Sequence, residues 1–184
     1  IFDLIGGDSI DYDHSTIYIH GRKSQISNNI FTSRNGAGTN GARTAIETHG
    51  DRHIVSNNFI SGYTNGINVT GLAVSSTGQE IVNNVIKNVH TGITIWSYFD
   101  RKNSNSGLRD STIANNKIEV NVDSWRSLWG DTPNQGIWLE SNSNAPLKNL
   151  NIINNHIYFY KSSSQDPHDV DKLVYGIAFG SNNL

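Results

Sequence analysis

The chain reads Val55-Ser56-Asn57-Asn58-Phe59-Ile60 at the second of five places where two adjacent asparagines separate short apolar segments. Each copy has an apolar residue, one further residue, the two asparagines, one more residue and a second apolar residue. The other copies are Ile26–Phe31, Ile81–Ile86, Ile113–Ile118 and Ile152–Ile157. A recurring unit indicates a stacked-repeat fold, because one unit can bury its apolar side chains only against its neighbours.

A second motif alternates with the asparagine pairs. Short segments begin with glycine and then alternate between apolar and other residues, at Gly66–Val69, Gly92–Ile95, Gly136–Leu139 and Gly176–Phe179. Two further segments fit the same frame without the glycine, at Thr16–Ile19 and Ala45–Thr48. Alternation with period two predicts strands that bury one face. Abundant Gly, Asn and Ser argue against helices.

The asparagine pairs are expected at tight bends between two strands. Asparagine tolerates the left-handed backbone conformation that such a bend requires. Its amide group can also donate and accept hydrogen bonds along a stack, so the pairs predict a ladder between coils. The sequence therefore predicts an all-β fold, a parallel β-helix (solenoid) of about six coils with irregular loops and three short strands per coil.

The order of short strand, Asn-Asn bend, strand and glycine-led strand resembles the right-handed β-helix of the pectate-lyase-like superfamily, from about Ile10 to Leu184. This superfamily includes lyases, hydrolases, esterases and phage tailspikes. The irregular coils rich in Asn and Ser are most similar to phage tailspikes and to preneck appendages of the Bacillus phage type. The resemblance implies a right-handed helix, a substrate groove on the glycine-led sheet, a homotrimer and a place on the virion surface.

The composition limits the classes of function. Only 35% of the 184 residues are hydrophobic and 17 are glycine, as expected for a narrow core wrapped by many turns. The formal charge of −2 gives no basic surplus for nucleic acid, and no apolar run is long enough for membrane insertion. Without cysteine, disulfides and thiolate metal sites are excluded.

Residues 1–184 are expected to form a single β-helix domain. Because the chain starts at Ile1 and lacks Met, it is expected to be a fragment of a longer chain.

Stacking the glycine-led strands in register predicts which side chains face outward together. Two inward columns are apolar, beginning with Ile17 and Ile19. The first outward column is expected to contain Tyr18, Glu47, Asn68, Thr94, Trp138 and Ala178. The second is expected to contain His20, His49, Thr70, Trp96, Glu140 and Gly180.

Two outward tryptophans are unusual, because tryptophan is mostly buried. A carbohydrate offers apolar C–H faces that stack on aromatic rings and hydroxyl groups that need polar partners. The expected substrate-binding residues are therefore Trp96, Trp138, Thr94, Asn68, Glu47 and His49. The alternative is that the tryptophans are packing residues, covered by loops 97–111, 119–134 and 158–174 or by a neighbouring subunit.

Glycoside hydrolysis needs two carboxyl groups about 5–5.5 Å apart for retention or about 6.5–9.5 Å apart for inversion. Glu47 and Glu140 are three coils apart, roughly 14 Å at the usual strand spacing, so they cannot form this pair. Glu140 with Asp100 is the leading acid/base hypothesis, and Asp131 is the other candidate partner. The alternative is that Glu140 is a solvated side chain on a sheet surface.

Tyr18, His20, Glu47 and His49 form a second predicted cluster on neighbouring coils. A histidine near a carboxylate can act as a general base, and two histidines with a glutamate could bind a metal. The favoured alternative is a group of polar residues on a wet face. Nothing in the sequence forces a third ligand into place beside His20 and His49, so neither a metal nor a cofactor is predicted.

Three functions remain open from the sequence. The first is a phage tailspike or appendage that binds, and in one interpretation degrades, a host cell-surface polysaccharide or teichoic acid. The second is a secreted microbial polysaccharide lyase or hydrolase, and the third is a structural β-helix spacer. Within the enzymatic interpretations a hydrolase is favoured over a lyase, because the two outward columns contain no Lys or Arg that could abstract a proton.

Overall fold

A computed structural model describes residues 1–4, 15–33, 44–70, 75–97, 107–122, 133–141, 145–161 and 174–181. Every regular element in these ranges is a β-strand. The strands are β1 (Phe2–Leu4), β2 (Ser15–Arg22), β3 (Gln25–Ser27), β4 (Ile30–Ser33), β5 (Thr44–Asp51), β6 (Ile54–Ser56), β7 (Phe59–Ser61), β8 (Asn65–Thr70), β9 (Ser75–Thr77), β10 (Glu80–Val82), β11 (Val85–Val89), β12 (Thr91–Trp96), β13 (Gly107–Ala114), β14 (Lys117–Asn121), β15 (Asn134–Ser141), β16 (Lys148–Ile153), β17 (His156–Tyr160) and β18 (Val174–Ser181). Within the described ranges no helix is long and apolar enough to span a membrane.

The strands form three sheets in which every pairing is parallel and neighbouring strands come from consecutive coils. The first sheet contains β1, β4, β7, β11, β14 and β17, and the second contains β3, β6, β10, β13 and β16, with β9 paired to β13. The front sheet contains β2, β5, β8, β12, β15 and β18. The chain passes from the front sheet to the second sheet, bends at an asparagine pair and returns through the first sheet. This confirms the predicted right-handed parallel β-helix of about six coils.

The core lies between the three sheets and is built from columns of apolar side chains. The front sheet contributes the predicted inward column, in which Ile46, Ile67, Ile93 and Ile137 are completely buried. At the end of the solenoid formed by β16, β17 and β18, the column is open, and Ile177 is 45% exposed. Each coil thus buries its apolar side chains against the next, as the repeat predicted.

The asparagine pairs have both predicted roles. The first asparagine of each pair has a positive φ, between 53° and 60°. From the second pair onward, each second asparagine accepts hydrogen bonds at Oδ1 from the backbone N–H and the Nδ2 of its counterpart in the preceding coil. This ladder contains Asn29, Asn58, Asn84, Asn116 and Asn155. Its central amides are buried. The first position of the bend therefore favours asparagine for its positive φ, and the second favours asparagine for its hydrogen bonds in the ladder.

The glycines near the start of the front strands allow close packing at a corner of the coil. A Cβ at Gly92 would overlap the side chain of Ile118 on the first sheet and the carbonyl oxygen of Gly136 in the next coil. Gly66 and Gly136 are enclosed in the same way. The glycine-led motif therefore marks the corner between the first sheet and the front sheet.

Candidate functional site

The register of the front sheet brings the predicted outward residues together. Strand pairing aligns the first outward column as Tyr18, Glu47, Asn68, Thr94, Trp138 and Ala178. It aligns the second as His20, His49, Thr70, Trp96, Glu140 and Gly180. Both columns match the order predicted from the sequence.

Trp138 lies along the surface of the last two front strands. Its Nε1 donates a hydrogen bond to Oε2 of Glu140, two residues further on the same strand, at 3.1 Å. On β18, a Cβ at Gly180 would overlap the six-membered ring of the indole. The indole therefore extends across the space above Gly180 and is half-buried there, with part of its surface accessible.

Trp96 and Thr94 are the neighbours of this pair on β12. Trp96 is aligned with Glu140 and Thr94 with Trp138, and all four side chains are half-buried. The backbone N–H of Ser97 donates to the carbonyl oxygen of Glu140 at 3.0 Å, which holds the ends of the two strands together. Two large aromatic side chains, a carboxylate and a hydroxyl group thus share one patch of the front sheet.

The structure does not describe the two carboxylate partners that were predicted for Glu140. Asp100 and Asp131 are outside the described residues, so the acid/base pair stays a prediction. Glu47 is on β5 and Glu140 on β15, with β8 and β12 between them. This order agrees with the three-coil separation that excluded Glu47 as the partner.

Glu47 and His49 form a buried pair and do not lie on a wet face. Nε2 of His49 is 2.7 Å from Oε1 of Glu47, and the two side chains are 4% and 13% exposed, respectively. Ser15 donates from Oγ to the other carboxylate oxygen at 2.6 Å. Burial raises the pKa of Glu47, but the hydrogen bonds from His49 and Ser15 and the charge of His49 together lower that pKa below its ordinary value.

Two aromatic side chains of β2 surround His49. The Tyr18 ring centroid is 4.8 Å from that of His49, and the His20 centroid is 6.1 Å away. Tyr18 itself is 58% exposed. The metal arrangement considered from the sequence is not formed, since no three His, Asp or Glu side chains in the described ranges are grouped to hold an ion.

Asn68 lies between the two aromatic ends of the first column. Its Nδ2 donates to Oγ1 of Thr44 at 3.3 Å, whereas its buried Oδ1 has no hydrogen-bond partner among the described residues. Sequence reasoning missed Thr44 and Ser15, which both immediately precede the repeating frame. A signal was present, because Ser15, Thr44, Asn65 and Thr91 are all polar at this position.

The chain matches none of the protein-family models, curated proteins or solved structures with which it was compared. The repeat, the register and the geometry of the front sheet are therefore the basis for a functional proposal.

Proposed function

We propose that the front sheet binds a carbohydrate polymer of a host cell surface, a polysaccharide or a teichoic acid. On this proposal the chain is the β-helical part of a phage tailspike or preneck appendage on the virion surface, and it works as a homotrimer. The single observation that carries the proposal is the accessible indole of Trp138 on the outward surface of the sheet. A hydrogen bond to Glu140 fixes this indole, and the lack of a side chain at Gly180 leaves space for it.

Sugar binding needs the combination that this patch contains. An aromatic ring provides an apolar surface for the C–H face of a sugar, and nearby polar side chains satisfy its hydroxyl groups. Trp96 and Trp138 provide the rings, while Thr94 and Glu140 provide hydrogen-bonding groups on the same two strands. Because the indole of Trp138 is already held by its hydrogen bond to Glu140, little of its side-chain entropy is lost when a sugar binds.

The binding proposal is tested with purified capsular polysaccharides and wall teichoic acids. Trp138→Ala and Trp96→Ala are each expected to weaken binding of the recognised polymer by at least about tenfold, equivalent to about 1.4 kcal/mol. Phe59→Ala is the control, because Phe59 is 37% exposed on the first sheet, away from the patch. Equal affinity of wild type and both tryptophan variants, or no polymer bound by wild type, would overturn the proposal.

Degradation of the polymer is the second half of the proposal. Glu140 is the acid/base residue, with Asp100 as its expected partner, in a hydrolytic reaction. Release of reducing ends by the wild type and its loss in Glu140→Gln, with polymer binding retained, is the expected result. Turnover unchanged in Glu140→Gln would remove this assignment. Release of an unsaturated product would identify a lyase instead.

A further inference from the structure

We infer that Tyr18 forms a second aromatic sugar-binding subsite, so that an extended carbohydrate chain lies along the solenoid axis between Tyr18 and Trp138. This inference rests on the proposed function, because it concerns the same class of ligand on the same sheet. It adds a residue outside the tryptophan patch, a direction for the bound polymer and a minimum length for it.

Tyr18 combines exposure with a fixed support. Its side chain is 58% exposed, while its ring contacts the buried His49 at a centroid distance of 4.8 Å and an interplanar angle of 43°. His49 is held by Glu47, and Glu47 is held by Ser15. This hydrogen-bonded network lies beneath an accessible ring, which is the arrangement expected of a pre-organised stacking surface.

The surface between the two aromatic ends is polar. Glu47, Asn68 and Thr94 lie in register between Tyr18 and Trp138. Both carboxylate oxygens of Glu47 already accept hydrogen bonds, from Ser15 and from His49. Asn68 and Thr94 are half-buried and uncharged. A chain rich in hydroxyl groups fits such a path, whereas an apolar peptide would leave these polar groups without partners.

The distance between the aromatic ends determines the length of the ligand. Tyr18 is on β2 and Trp138 is on β15, which are four strand steps apart in the front sheet. At about 4.8 Å for each step, the two residues are about 19 Å apart along the solenoid axis, and the indole extends further, towards β18. One or two sugar units cannot contact both rings, and a chain of several units can. Affinity should therefore rise with chain length until both subsites are occupied.

The test compares length fractions of one polymer. The polymer from the panel above that binds wild type is partially hydrolysed. Calorimetry then measures the affinity for a short fraction of about one to two sugar units and a long fraction of about eight to ten. Tyr18→Ala is expected to weaken binding of the long fraction by about tenfold and to leave the short fraction unchanged. Tyr18→Phe should bind both fractions like wild type, because the ring is retained. Trp138→Ala should weaken both.

Tyr158→Ala is the matched control, since Tyr158 is 49% exposed on β17 of the first sheet. Thermal melting of each variant shows whether the fold is retained. Long-fraction binding by Tyr18→Ala that equals wild type, while Trp138→Ala binds weakly, would overturn the second subsite and leave the proposed function standing. An equal loss for short and long fractions in Tyr18→Ala would also overturn it. If no polymer binds wild type, the proposed function itself fails.

Discussion

At the residue scale, Gly180 determines how Trp138 lies on the front sheet. A methyl group at Gly180 would overlap the indole, so Gly180→Ala should displace the ring and break its hydrogen bond to Glu140. The expected result is a shifted, faster-exchanging Nε1–H resonance of Trp138 in NMR spectra. The expected loss of stability is about 1–3 kcal/mol. Gly176→Ala is the matched control on the same strand, because a Cβ at Gly176 contacts nothing within 4 Å. An unchanged Trp138 resonance in Gly180→Ala would contradict this role.

Glu47 should make the stability of the fold depend on pH under acid conditions. The pKa of Glu47 is lower in the folded protein than its ordinary value of 4.5, so the folded state favours the ionised carboxylate. The resulting stabilisation is fully present above pH 4.5 and is lost as the pH falls through the folded pKa. Glu47→Gln should be less stable than wild type near pH 7, with a smaller further loss on acidification.

Urea denaturation at a series of pH values measures this dependence. The control is Glu80→Gln, which removes an exposed carboxylate on the second sheet and should follow the wild-type acid dependence. If Glu47→Gln and wild type lose stability in parallel below pH 4.5, the buried pair with His49 is not the origin of the acid sensitivity.

At the element scale, the asparagine ladder joins successive bends. Asn84 accepts from the backbone N–H and Nδ2 of Asn58 and donates to the carbonyl oxygen of Val55 and to Oδ1 of Asn116. Asn84→Ala removes these four hydrogen bonds and leaves the buried backbone N–H of Asn58 without its acceptor, and a buried group without a partner costs about 1–3 kcal/mol. We expect a loss of more than about 3 kcal/mol in the free energy of unfolding. Asn29→Ala, at the first rung, should cost about 1 kcal/mol, because Asn29 is half-buried. Equal losses in urea titrations would contradict the larger contribution expected of the buried rungs.

The repeating elements were predictable from the sequence because their side chains make the same contacts in every coil. The asparagine bends, the inward columns and the alignment of Trp96 with Glu140 all follow from the repeated motifs. The burial of His49 was not predictable, because alternation gives only the face of a strand. Ser15 and Tyr18, on the preceding coil, supply the contacts that bury the pair. Whether Asp100 or Asp131 can pair with Glu140 depends on segments whose lengths differ between the repeats, so the repeat provides no template for this pair.

At the scale of the whole molecule, one end of the solenoid has an open core. β16, β17 and β18 are the outermost strands of their sheets at this end. Phe179 is 76% exposed, whereas Leu139, at the same position one coil earlier, is 1% exposed. Outer strands expose hydrogen-bonding edges, and exposed core residues add an apolar surface beside them. We therefore expect an isolated polypeptide of residues 1–184 to self-associate through this end in a concentration-dependent manner.

Phe179→Lys is the variant that tests this association. The lysine lies on an exposed position, so the melting temperature should change by no more than about 2–4 °C. It places a charge on the apolar end, so the association constant from sedimentation velocity should fall by at least about tenfold. Leu139→Lys is the matched contrast, because an unpaired charge within the core should prevent folding. The homotrimer of the proposed function is a separate contact, in which the copies would meet side by side. A stable trimer that Phe179→Lys leaves intact would show that the copies meet along their sheets and that the open end is not their contact.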